Sequence, residues 1–169
     1  MFTYGETGAL IVCGDYAGDL EAIAKLLNTF EFDQDEDQHE RFVVVDGRIQ
    51  TDRYLIDNAG AMPYCWNVEG EDEPCYEPSL EAVSGAIAPL LTSGTLVLVS
   101  TTCFLGECVA LERLSIRSDG WAQSERQRYL SVIVADAIFE PDLYEHNGAR
   151  ALKNWYECST DTYEPPDQA

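Results

Sequence analysis

Carboxylates set the terms on which this chain can fold. Six of the ten residues from Glu31 to Glu40 are acidic (Glu31, Asp33, Asp35, Glu36, Asp37 and Glu40), and Glu69, Glu71, Asp72, Glu73 and Glu77 form a second run. Segments so dense in like charge stay in water, because an ionised carboxylate without a partner is very costly to bury. Both runs are therefore read as connections, and the core must come from what lies between them. The 169 residues hold 31 acids against 10 bases, a formal net charge of -21. Solubility asks for a net charge of only about 2–8 in magnitude in a small domain, and the surplus destabilises the compact state by self-repulsion. The charge is also uneven: residues 1–80 hold 18 acids and 4 bases, residues 81–169 hold 13 and 6.

The remainder of the sequence can supply a core, since 46% of it is apolar. Ala9 to Cys13 is a continuous apolar run, which reads as a buried strand, with Cys13 a small core residue. Leu20, Ile23, Ala24, Leu27 and Phe30 recur at three and four residues and give one stripe of an amphipathic helix, entered through capping candidates between Asp15 and Asp19. Acids disfavour a helix C-terminus, where the dipole is negative, so Glu31 onward leaves the helix. Phe42 to Val45, Asp46-Gly47, then Ile49, Thr51 and Tyr54 read as a hairpin. Residues 58–78 look irregular, with Met62, Tyr64 and Trp66 alternating as a short half-buried strand. Ser79 caps a second helix with a stripe of Leu80, Val83, Ile87, Leu90 and Leu91 and a stop at Gly94. A meander follows, through Leu96–Val99, Cys108–Arg117, the turn at Asp119-Gly120 and a strand from Trp121, with a weak helical pattern over 142–156. The expected fold is α+β: a mostly antiparallel sheet with two main helices packed on one face, and acidic loops. It forms a single domain over 1–158, with 159–169 as a mobile acidic tail.

Candidate chemistry is weighed against this frame. Gly14 and Gly18 flank a strand-to-helix turn but lack the third glycine or the Gly-Lys-Ser/Thr of phosphate-binding loops, and Asp15 and Asp19 would repel phosphate. Asp33, Asp35 and Asp37 have the opening spacing of a calcium loop, yet Gln38 stands where Gly is needed and Val44 where Glu is needed. The six cysteines (13, 65, 75, 103, 108 and 158) contain no C-x-x-C pair, so convergence of Cys65, Cys75, Cys103 and Cys108 on zinc is weakly supported. His39 and His146 both lie in polar stretches, away from any nucleophile elbow. With 31 carboxylates, pairs are inevitable and carry no catalytic signal. The expectation is no enzyme, no metal and no cofactor. Met1 to Gly8 show no basic start followed by an apolar stretch, and no apolar run approaches the roughly 20 residues that span a bilayer. A cytoplasmic protein is expected. Anionic membranes and nucleic acid make poor direct partners for a chain with two lysines and scattered arginines.

A basic protein partner is the expectation that remains. If residues 31–37 are extended, Glu31, Asp33, Asp35 and Asp37 share one face at about 6.7 Å intervals, from roughly 3.3–3.4 Å per residue. Glu69, Glu71 and Glu73 repeat the spacing. One DNA strand carries a phosphate every ~3.4 Å of axis, so two such rows side by side approach its charge density. A nucleic-acid-binding groove is basic by necessity, and such surfaces steer association. Aromatic anchors rimmed by charge typify interfaces, and Phe32 and Trp66 are the candidates. The partner-binding set is thus Glu31, Phe32, Asp33, Asp35, Glu36, Asp37 and Glu40, with Trp66, Glu69, Glu71, Asp72 and Glu73 as a second patch. In charge and size alone the chain resembles the DNA-mimic inhibitors that phages and mobile elements direct at restriction or CRISPR systems; no functional residue is carried over from them. An immunity protein for a basic nuclease toxin would share the electrostatics. An enzyme with a Cys, His and carboxylate pocket is the reading from a different class.

Overall fold

A computed structural model describes residues 6–32, 42–51, 60–104, 107–131 and 154–167. Among them, helices α1 (Leu20–Leu27) and α2 (Leu80–Ile87) accompany ten strands: β1 (Glu6–Gly18), β2 (Phe30–Glu31), β3 (Phe42–Val45), β4 (Arg48–Thr51), β5 (Cys65–Trp66), β6 (Cys75–Tyr76), β7 (Leu91–Phe104), β8 (Glu107–Arg117), β9 (Ala122–Ser131) and β10 (Asn154–Tyr163). The main sheet runs β1-β7-β8-β9-β10, beside a three-stranded β2-β5-β6 sheet and the β3-β4 hairpin, and every pairing is antiparallel. The fold is α+β, as the sequence pattern implies.

Alternation along each strand decides which side chains face the helices. The register sets Leu10 opposite Ser100, Leu98 opposite Leu114, and Leu96 opposite Ile116, which in turn faces Ala122. These residues are buried together with Ile23, Ala24 and Leu27 of α1 and Val83 and Ile87 of α2. Each large apolar side chain so buried contributes about 1.5–3 kcal/mol relative to exposure. Both helices therefore cover one face, here called the inner face.

Side-chain caps fix where the helices begin. Asp19 Oδ1 accepts the Ala22 amide at 3.1 Å, and Ser79 Oγ accepts that of Ala82 at 3.1 Å. Glu21 in the first turn of α1 and Lys25 in its last complement the helix dipole. The helix stops at Asn28, whose side chain donates to the Phe42 carbonyl at 2.9 Å and accepts the Phe42 amide at 2.8 Å. Phe30, expected on the helical stripe, lies instead in β2 and is buried there. The second helix tightens into a 3-10 turn over Ala88–Leu90, where Pro89 sits, and Leu91 already begins β7. Gly94 is thus a strand residue and not a helix stop. It sits opposite Tyr16 at φ +81°, a conformation open to glycine, with the Asp15 carbonyl against the space a Cβ would fill.

Two further expectations give way. Cys13 is exposed, because the described helices lie on one face and alternate residues of the apolar run point away from them. Residues 159–163, expected as the start of a mobile tail, form the second half of β10. Ser159 pairs with Arg126 and Tyr163 with Ala122, and Thr160, Thr162 and Tyr163 have the β preference that the acidic composition obscured.

Candidate protein-binding surface

The two acidic runs are rooted in the same small sheet. In β2, Phe30 pairs with Trp66 and Glu31 with Cys65; in β6, Tyr76 pairs with Cys65 and Cys75 with Trp66. The Phe30 and Trp66 rings meet edge-on with centroids 5.0 Å apart. Residues 67–74 leave β5 and return to β6 as an excursion, closed at its base by the Glu77 amide donating to the Tyr64 carbonyl at 2.7 Å. The first run starts at Glu31, the last residue of β2. Because β2 and β5 are antiparallel, the chain leaves β2 at the end where β5 begins, and leaves β5 at the other end.

Of the residues read as binding groups, Asp33, Asp35, Glu36, Asp37 and Glu40 lie outside the described residues, as do His39 and His146. The flanks of that run are described. Phe32 is 2% exposed, with its ring 6.1 Å from Phe30 and 5.6 Å from Phe42. It points into the core, so it is not an outward anchor. An apolar side chain between Glu31 and Asp33 is there because the chain turns inward at that point, and Phe32, Phe42 and the Asn28 clamp hold the two flanks of residues 33–41 together. Trp66 is half-buried against Phe30, a packing residue more than a protruding one. Glu31 is also half-buried, and its side chain is hydrogen-bonded to the Cys65 thiol. Burial first, then the Glu31 charge and Cys75, push the Cys65 thiol above its ordinary value.

The second run stands in solvent as expected. Glu69, Glu71, Asp72, Glu73 and Glu77 are all exposed, and among the described residues no ion pair reaches any of them. The extended every-second-residue row does not form. Glu69 and Gly70 make a turn in which Gly70 has φ +93° and the Glu71 amide donates to the Val68 carbonyl at 3.1 Å; Asp72 and Glu73 bend in turn. The carboxylates cluster round a loop tip in place of a ladder. Beside them Tyr76 is 63% exposed and Val68 37%, with the Tyr76 ring 6.0 Å from that of Tyr64. Tyr76, one of the aromatics beside the acids, is the exposed one, whereas Phe32 and Trp66 are the expected anchors. Its signal was weak: one tyrosine between a cysteine and a glutamate at the end of an acidic run.

One remote group holds the base of this region. Glu112, on the inner face of β8, accepts the Ala61 amide at 3.0 Å and pairs with Arg126 across the strand. The segment leading to β5 is thereby pinned to the main sheet.

Chemically the surface offers negative charge, an aromatic ring and a small apolar side chain on a loop tied at its base. Among the described residues no group of His, Cys, Asp and Glu is arranged to hold a metal ion, and no helix is long and apolar enough to cross a membrane. No protein-family model, curated protein or solved structure matches the chain.

Proposed function

We propose that this protein is an acidic, non-enzymatic inhibitor that binds a basic, nucleic-acid-handling protein through charge of the kind DNA presents. The observation that carries the reading is the loop between β5 and β6, where Glu69, Glu71, Asp72 and Glu73 are exposed without basic partners among the described residues beside exposed Tyr76. Supporting it is the formal charge of -21, well beyond what solubility asks. The mimicry rests on clustered charge and not on phosphate-like spacing. In this reading the protein acts in the cytoplasm as a phage or mobile-element counter-defence factor of the anti-CRISPR or anti-restriction type. The first acidic run joins the same contact or a neighbouring one.

Charge steering acts mainly on association rate and its salt dependence, while buried contacts act on dissociation. The test is capture from a host lysate at low salt, with elution by a salt gradient. It is repeated with a variant carrying Glu71→Lys, Asp72→Lys and Glu73→Lys, and with Tyr76→Ala. The expected partner binds DNA or RNA, loses that binding when the chain is added, and associates about tenfold more slowly with the triple variant. Tyr76→Ala should raise the dissociation rate. Undiminished capture by the triple variant at low salt would remove this loop from the contact. A captured nuclease toxin would point instead to an immunity role on the same surface.

A further inference from the structure

The outer face of the main sheet breaks the pattern of the molecule twice. An antiparallel sheet covered on one side normally turns polar side chains to water on the other. On β8, β9 and β10 this holds, with Ser115, Gln123, Gln127, Thr160 and Thr162 at outer positions. On β1 and β7 it does not. There Ile11 pairs with Val99, Cys13 with Val97 and Ala9 with Thr101, and Leu111 continues the last rung on β8. Ile11 is 49% exposed and Cys13 is exposed, while Val97, Val99 and Leu111 are half-buried. The second departure is electrostatic. Across the three rungs from Cys13–Val97 to Ala9–Thr101, carried over all five strands, the only charged residues are Arg113 and Glu125, which pair with each other at 3.6 Å. A chain of net charge -21 thus carries, over these three rungs, a patch of net charge zero.

We infer that this outer face packs against the same face of a second copy of the chain. Charge selects that occupant. A basic partner gains nothing from a neutral face when exposed carboxylates lie elsewhere, and an anionic membrane would be repelled by the rest of the molecule. A second copy meets the same repulsion everywhere except here, where the facing surfaces carry no net charge. A patch whose charges already pair within one copy can meet its own image about a two-fold axis, as an isologous interface requires. Burying Ile11, Val97 and Val99 on both sides supplies the apolar centre.

This pairing and partner capture respond to salt with opposite signs, so either can fail without the other. Capture by the acidic loop weakens as salt rises. Self-association strengthens, because salt screens the repulsion between two acidic bodies while leaving apolar burial intact. The experiment is sedimentation equilibrium of the purified chain over a range of concentrations, from about 0.01 M to about 1 M salt, where the screening length falls from about 30 to 3 Å. Alkylation of Cys13 is followed in parallel against Cys75, an exposed thiol on β6, as internal reference. The expected result is a mass rising towards twice 18.8 kDa with salt. Cys13 should become protected relative to Cys75 as the dimer forms. Ile11→Glu should weaken the dimer about tenfold or more, and Ile11→Val should restore it. A monomer under all conditions overturns the inference. So does a dimer in which Cys13 stays as reactive as Cys75, which would place the contact on another surface. Protection of Cys13 already in the monomer overturns it too, because another part of the same chain would then cover the face.

Discussion

The inner face of the main sheet and the loop between β5 and β6 are built by opposite rules. On the inner face apolar residues from two helices and four strands interlock, and the acid Glu112 is held by a backbone amide and by Arg126. On the loop four carboxylates stand in water, and a reverse turn at Glu69-Gly70 replaces packing. The contrast shows that stability and charge have been given to different parts of the chain. The self-repulsion that an excess of acids brings is placed where little packing can be lost, and the packed face carries almost none of it.

That division can be broken or sharpened by substitution. The largest effect is expected on the inner face. Leu98→Ala, at a position 1% exposed, should lower the unfolding free energy by about 2–5 kcal/mol in denaturant titration. Capture of the proposed partner by the loop should persist wherever the fold does. A loss of binding larger than the loss of folded protein would show the two regions to be coupled. Next comes Glu112→Gln, which keeps the shape but removes the charge facing Arg126. A loss of about 0.5–1.5 kcal/mol is expected from the weakened, part-buried hydrogen bonds. Faster amide exchange at Ala61 and earlier proteolytic cutting within residues 67–74 should accompany it, because the strut to β5 is weakened. Triple reversal of Glu71, Asp72 and Glu73 to lysine should shift stability by no more than about 0.5 kcal/mol per substitution, as for other exposed positions, while slowing association with the proposed partner. A large stability change there would mean that the loop is packed after all.

Smallest are the pH effects, one on each limb. The Arg117 guanidinium, hydrogen-bonded to Asp119, holds that carboxyl below its ordinary value of 3.8. The unfolded state therefore takes up the proton first, so the pair supports the fold above that value and its support is lost as pH falls through the lowered one. Burial and Glu31 hold the Cys65 thiol above its ordinary 9.0, so the unfolded state loses that proton first. Stability should decline as pH climbs past 9.0 towards the raised folded value. Cys65→Ser should flatten the alkaline limb, and Asp119→Asn the acid one, in thermal melts across pH.

Local signals carried most of what was legible. The stripe of Ile23, Ala24 and Leu27, the cap at Ser79, and the Asp46-Gly47 and Asp119-Gly120 turns each act within a few residues, and each appears where the pattern placed it. What stayed hidden depends on partners distant in the chain. Nothing near Phe30 announces a two-residue strand, because β2 exists only through Trp66 and Cys65. Phe32 could be read inward or outward until Phe42 was seen to close on it. The apolar run from Ala9 to Cys13 reads as buried on both sides, yet among the described residues only one face has helices over it. For the surface, exposure of the second acidic run followed from charge alone. Its turn, and the exposed ring of Tyr76 beside it, needed the register of β5 and β6.

The pairing of β1 with β7 has a kinetic consequence. Glu6 meets Phe104 and Gly18 meets Leu91, so this ladder joins stretches more than seventy residues apart, whereas β8 and β9 zip together across a short turn. Long-range pairing of this kind is slow, since the entropy of closing the loop is lost before any contact repays it. The meander from β7 to β9 should thus collapse early and serve as the template on which β1 docks last. Until then β1, with its apolar centre, is a sticky unpaired segment, and the carboxylates between it and its destination act as a built-in deterrent to clumping while the chain waits.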